Sequence, residues 1–165
     1  MKKISLLFLF VFCIGIPYIN AESEDLESIY LEGGYKETSK ALNEANAFFK
    51  KNILLPTRLP AVEFTHIFSR FSTLGNPKLE ISFLNENSGT THYKILVTSL
   101  DYKMEYQNEN AIRMKLKNGS EGIYLIKEHF SSLIFEKNEF QYILMVDNNH
   151  QVSSENLIQI ANSIK

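Results

Sequence analysis

Hydrophobic and polar residues change their spacing twice along this chain, and each change marks a different kind of element. From Thr38 to Asn52, Leu42, Ala45, Phe48 and Phe49 recur at the spacing that lines one face of an α-helix. Thr38 or Ser39 is placed to cap its start, and Lys50 and Lys51 suit the negative end of its dipole. Pro56 and Pro60 exclude a second helix, because each lacks an N–H and holds the preceding residue extended. Beyond them the period drops to two. Leu79, Ile81 and Phe83 alternate with Glu80 and Ser82, and Tyr93, Ile95 and Val97 follow the same rule. Tyr102, Met104 and Tyr106 alternate with Lys103 and Glu105. Each run predicts a half-buried strand.

Two turns set registers. Asn118-Gly119 predicts a two-residue type I′ hairpin, in which both central residues need positive φ. That turn places Met114 opposite Ile123 and Ile112 opposite Leu125 on one face, with Arg113 opposite Tyr124 on the other. A second hairpin at Asn138-Glu139 places Phe135 opposite Tyr142 and Leu133 opposite Leu144. Moving it back one residue would oppose Glu136 to Glu139, a like-charge pair. The period then returns to 3.6 from Ser153 to Ile164. Ser153 caps this helix, Glu155 sits in its first turn, and Leu157, Ile158, Ile160, Ala161 and Ile164 form the apolar stripe. The fold predicted is α+β: an antiparallel meander of about six to seven strands, covered on one face by an N-terminal and a C-terminal helix.

The N-terminus fits neither pattern. Lys2 and Lys3 precede an apolar run from Ile4 to Ile16, Pro17 breaks it, and Ala21 offers a small residue at a cut. This is the layout of an export signal, too short for a comfortable membrane span. The expected organisation is a signal at 1–21, an acidic and flexible tail at 22–37, and one α+β domain at 38–165. No internal repeat or linker composition divides the last part. Phe10-Val11-Phe12 before Cys13 is too bulky for a lipid-attachment signal, so release or loose retention in the envelope is expected.

Composition narrows the function classes. Apolar residues make up 44% and charged residues 22%, the balance of a globular domain. The net charge of −2 becomes −4 once Lys2 and Lys3 leave, which disfavours nucleic acid as a partner. Cys13 is the single cysteine and leaves with the signal, so disulfides, thiolate metal sites and cysteine nucleophiles are excluded from the mature chain. There is no Trp, and burial rests on Phe and Tyr.

Catalytic patterns are not found. His66, His92, His129 and His150 have no helical metal-pair spacing. Asp147-Asn148-Asn149-His150 lacks the carboxylate spacing of a calcium loop. Ser120, between Gly119 and Gly122, belongs to a turn rather than a nucleophile elbow. No catalytic, cofactor or metal residue is therefore assigned. Tyr102, Met104 and Tyr106 are the candidate contacts, as core or as an apolar groove for a peptide or lipid.

Two stretches carry a resemblance. Ala47-Phe48-Phe49 runs into Leu55-Pro56-Thr57-Arg58-Leu59-Pro60, and Ile112 leads through Lys117-Asn118-Gly119-Ser120-Glu121-Gly122 and Leu133-Ile134-Phe135-Glu136 to the capped last helix. Together they resemble an uncharacterised domain-of-unknown-function family of Gram-positive bacteria. Its members are exported proteins, lipoproteins and the outer part of anti-sigma-factor-like proteins. Phe135 stands where that family commonly has Trp. The resemblance implies no catalytic residues. The expected function is an exported, non-catalytic domain binding a protein, peptide or envelope component. The alternative is a carrier of a small apolar ligand between sheet and helices.

Overall fold

The computed structural model describes residues 26–87, 92–106, 111–148 and 152–165, so the expected signal at 1–21 lies outside the described residues. The chain runs through α1 (Leu26–Glu32), α2 (Thr38–Phe49), β1 (His66–Ser72), β2 (Lys78–Leu84), β3 (His92–Ser99), β4 (Ile112–Lys115), β5 (Glu121–Ile126), β6 (Phe130–Lys137), β7 (Phe140–Asp147) and α3 (Ser154–Ala161). The seven strands form one antiparallel sheet in the order β1-β2-β3-β7-β6-β5-β4. It is two meanders, β1 to β3 and β4 to β7, joined where β3 pairs with β7.

The period-two residues of the strands meet the stripes of α2 and α3 on one face. Ala41 and Ala45 are fully buried, which lets α2 lie close against the sheet, and Phe49 anchors its end. Leu157, Ile160 and Ala161 do the same for α3 over Leu133, Tyr142 and Leu144. Each such Leu or Ile contributes about 1.5–3 kcal/mol by leaving water. Phe48, expected in the α2 stripe, stands outside it and is 43% exposed.

The helix ends follow local chemistry. Glu37, not Thr38 or Ser39, occupies the cap position of α2 and makes no side-chain cap. Thr38 instead shares a 2.8 Å hydroxyl hydrogen bond with Ser69 of β1, so tertiary contact takes the oxygen that capping would have used. Lys50 closes α2 in the left-handed region. Ser153 and Asn156 form a reciprocal capping box on α3.

Asn138 and Glu139 both take positive φ, and Phe135 pairs with Tyr142 and Leu133 with Leu144, the register expected. The Asn118-Gly119 register differs by one residue. Only Gly119 has positive φ, at 85°. Its N–H donates to Leu116 O and Leu116 N–H donates to Ser120 O, both at 2.9 Å, which makes a three-residue loop with a glycine bulge. Asn118 Oδ1 accepts from Ser120 N–H at 3.1 Å and from its hydroxyl at 2.7 Å, favouring that longer loop. Met114 therefore faces Gly122, Ile112 faces Tyr124 and Arg113 faces Ile123. A Cβ at Gly122 would be a tight fit, 3.0 Å from Leu133 Cδ1 and 3.3 Å from Ile134 O.

A further expectation is corrected. Tyr102 to Tyr106 is not a strand: Leu100–Tyr102 is a 3₁₀ turn capped by Ser99, and residues 103–106 join no ladder. Within the expected tail at 22–37, Leu26–Glu32 forms α1. α1 is followed by Tyr35, whose hydroxyl reaches Glu80, and by Lys36, which bridges Ser69.

Candidate functional site

The sheet face turned away from α2 and α3 carries the less ordinary chemistry. Two segments lie over it. α1 and its following turn cover β1 and β2, where the Tyr30 ring stacks on Phe68 at 4.1 Å. Residues 103–106 cover β6 and β7, over an apolar cluster of Leu125, Ile134 and Ile143.

The second cover is held by one side chain. Gln141 is 4% exposed; its Oε1 accepts from Met104 N–H at 3.0 Å and its Nε2 donates to Met104 O at 2.9 Å. A side-chain amide thus satisfies both backbone groups that a neighbouring strand would have satisfied. A groove of about 530 Å³ opens between this segment and the β4–β5 hairpin. Ile123 and Ile134 form its floor, and Met104 and Tyr106 one wall. Its rim carries two ion pairs and Glu105: Lys103 Nζ lies 3.3 Å from Glu136, and Arg113 Nη1 lies 2.8 Å from Glu121. The Tyr106 hydroxyl points at Met104 Sδ, 3.6 Å away, and burial raises the phenol's pKa.

Of the three contact residues expected from the sequence, the fold brings two together. Met104 and Tyr106 share the groove. Tyr102 turns the other way, and its ring lies 6.4 Å from those of Phe48 and Phe49. Gln141, Ile123, Ile134 and Arg113 were not singled out by the sequence. They come from four strands, and the β5–β6 pairing sets Ile123 beside Ile134.

A charged cluster sits under the first cover. Glu80 is 6% exposed and accepts from Tyr35 at 2.8 Å, Arg70 at 3.1 Å and Lys94 at 3.2 Å. Burial alone would raise its pKa, but the Tyr35 hydrogen bond and the charges of Lys94 and Arg70 outweigh it and hold the carboxylate below its usual range. The Tyr35 phenol is pushed up to about 12, by burial first and the Glu80 carboxylate second. Arg70 also lies 4.4 Å over the Tyr35 ring.

A smaller cavity of about 300 Å³ lies beside it, lined by Tyr30, His92, Lys94, Met145 and Asp147 among others. His92 Nδ1 is 2.8 Å from Asp147 Oδ2, which also accepts the His92 backbone N–H at 3.1 Å. His66 stacks on Phe68, and His129 is largely exposed in a turn. His150 lies outside the described residues. Among the described residues, no three His, Cys, Asp or Glu side chains gather as metal ligands. Among them also, no helix is long and apolar enough to cross a membrane.

No protein-family model, curated protein or solved structure matches the chain.

Proposed function

We propose that this chain is an exported, non-catalytic domain that binds a protein, peptide or envelope component in the groove beneath Met104 and Tyr106. The groove itself carries the reading: an apolar floor of Ile123 and Ile134 inside a polar rim. That layout gives affinity through the floor and orientation through the rim. Four of the rim's charges are spent on each other, in the Lys103–Glu136 and Arg113–Glu121 pairs, and Glu105 lines the groove beside them.

The alternative is a carrier of a small apolar ligand between sheet and helices, where Leu79, Val97, Leu133, Tyr142, Leu144 and Leu157 are fully buried. Native mass spectrometry of protein purified from its own culture separates the readings. A clean mass supports binding of a macromolecule, whereas excess mass lost on denaturation identifies a carried small ligand. Export is checked on the same sample: N-terminal sequencing of the secreted protein should begin at Glu22. A protein retaining Met1 in the cytoplasm overturns that part.

A further inference from the structure

We propose that the outer edge of β4 accepts an extended peptide with acidic residues at alternate positions, as an eighth strand of the sheet. This rests on the binding reading above and names the partner's chemistry.

The sheet has two edges, and the chain treats them differently. At β1, Lys36 N–H donates to Ser69 O at 2.7 Å and Ser69 N–H donates to Lys36 O at 3.1 Å, so the chain's own backbone takes the middle of that edge, at Ser69. At β4, no described segment pairs with the outer side. Which backbone groups face outward follows from the turn. Leu116 N–H donates inward to Ser120, and antiparallel bonding alternates along a strand, so Met114 and Ile112 also face β5. Arg113 and Lys115 therefore present their N–H and C=O groups outward, and among the described residues these have no backbone partner. The next outward N–H, that of Lys117, is closed by Asn162 Oδ1 at 2.8 Å. The open stretch is thus Arg113 to Lys115.

Both residues that offer the backbone are cationic, and both side chains lie on the groove face of the sheet. Glu121 is their shared carboxylate: it lies 2.8 Å from Arg113 and directly opposite Lys115. Two cations with one carboxylate leave a surplus of one positive charge on the β4–β5 pair, with Glu105 and the Lys103–Glu136 pair lining the same groove. Residues of an added strand opposite Arg113 and Lys115 would sit about 5 Å away, Cβ to Cβ, where opposite charges attract and like charges repel. The residues between them would fall on the other face, beside Ile112, which is 47% exposed. Acid at alternate positions with apolar residues between is the pattern that fits both faces. Basic residues also keep two copies of an edge apart, and the experiment separates the two roles.

The probe is a blocked eight-residue peptide of alternating Val and Glu, with Val-Lys and Val-Ser peptides as controls, titrated into the full chain. The Val-Glu peptide should bind best, weaken with added salt, and slow hydrogen exchange at the Arg113 and Lys115 amides. Arg113→Glu with Lys115→Glu should cost roughly tenfold or more in affinity. Lys115→Pro removes the outward donor while leaving the inward bonds of β4 intact, and should abolish binding where Lys115→Gln only weakens it. Equal binding of all three peptides, or no slowing at Arg113 and Lys115, overturns the proposal. Shifts confined to Met104, Tyr106 and Ile134 would overturn it and leave the groove reading standing, whereas no binding by any peptide would count against both. Dimers of a neutralised Arg113→Gln, Lys115→Gln variant, with no peptide bound by the wild type, would assign the bases to keeping copies apart instead.

Discussion

Gln141 shows how much can hang on one side chain. Replacing it by Leu keeps the volume but leaves Met104 N–H and C=O without their partner. The expected loss is about 1–3 kcal/mol, the cost of orphaning buried polar groups. It should appear as faster amide exchange at residues 103–106 while the α2 and α3 core keeps its protection. Glu80 is a second such residue, and its pH dependence has a definite sign. Its folded carboxylate titrates below the ordinary 4.5, so its contribution is complete above that pH and is lost as pH falls through the lower folded value. Tyr35 titrates oppositely: its pKa rises from 10.0 to about 12, so its contribution is complete below pH 10 and is lost towards pH 12. The stability difference between wild type and Tyr35→Phe, measured by urea unfolding, should be level from about pH 5 to 9. It should narrow at both ends, and a difference unchanged at acid pH would detach Tyr35 from Glu80.

At the scale of elements, the two hairpins respond differently to glycine. Glu139 sits at φ 66°, a left-handed conformation that costs a residue with a Cβ about 1–2 kcal/mol. Glu139→Gly should raise the melting temperature, because the Lys51–Glu139 pair it sacrifices is exposed and worth little. Gly119→Ala should lower it by a similar amount, since the loop needs φ 85° at that one position. Gly122→Ala tests the β5–β6 contact: its Cβ would press on Leu133 Cδ1 and Ile134 O, and a destabilisation of about 1–3 kcal/mol is expected.

For the whole molecule, the sheet has one finished face and one partly covered face. α2 and α3 finish the first with a continuous apolar core. On the second, α1 contributes no fully buried residue and is held by Tyr30 on Phe68 and by the turn that follows it. Few buried contacts mean a low cost of local opening. Amide exchange across α1 should therefore be fast relative to β3, β6 and β7, and Tyr30→Ala should accelerate it further without lowering the protection of those strands. Equal protection of α1 and β7 would show that α1 unfolds only with the whole.

Sequence pattern alone settled what depends on neighbours a few residues away. The helical stripe of α2, the alternation of β2 and β3, the Asn138-Glu139 register and the Ser153 cap were all legible, because each is enforced by local geometry and burial on one face. Tertiary structure decided the rest. A side-chain hydrogen bond within the Asn118-Gly119 loop accompanies a register one residue from the expected one, and that single step puts Arg113 rather than Met114 beside Ile123 on the groove face. Gln141 drew Met104 out of any strand ladder, and Glu80 collected Tyr35, Arg70 and Lys94 from segments far apart in the chain. These partners share no spacing that a periodic pattern could reveal, since the groove exists only where strands distant in sequence lie side by side.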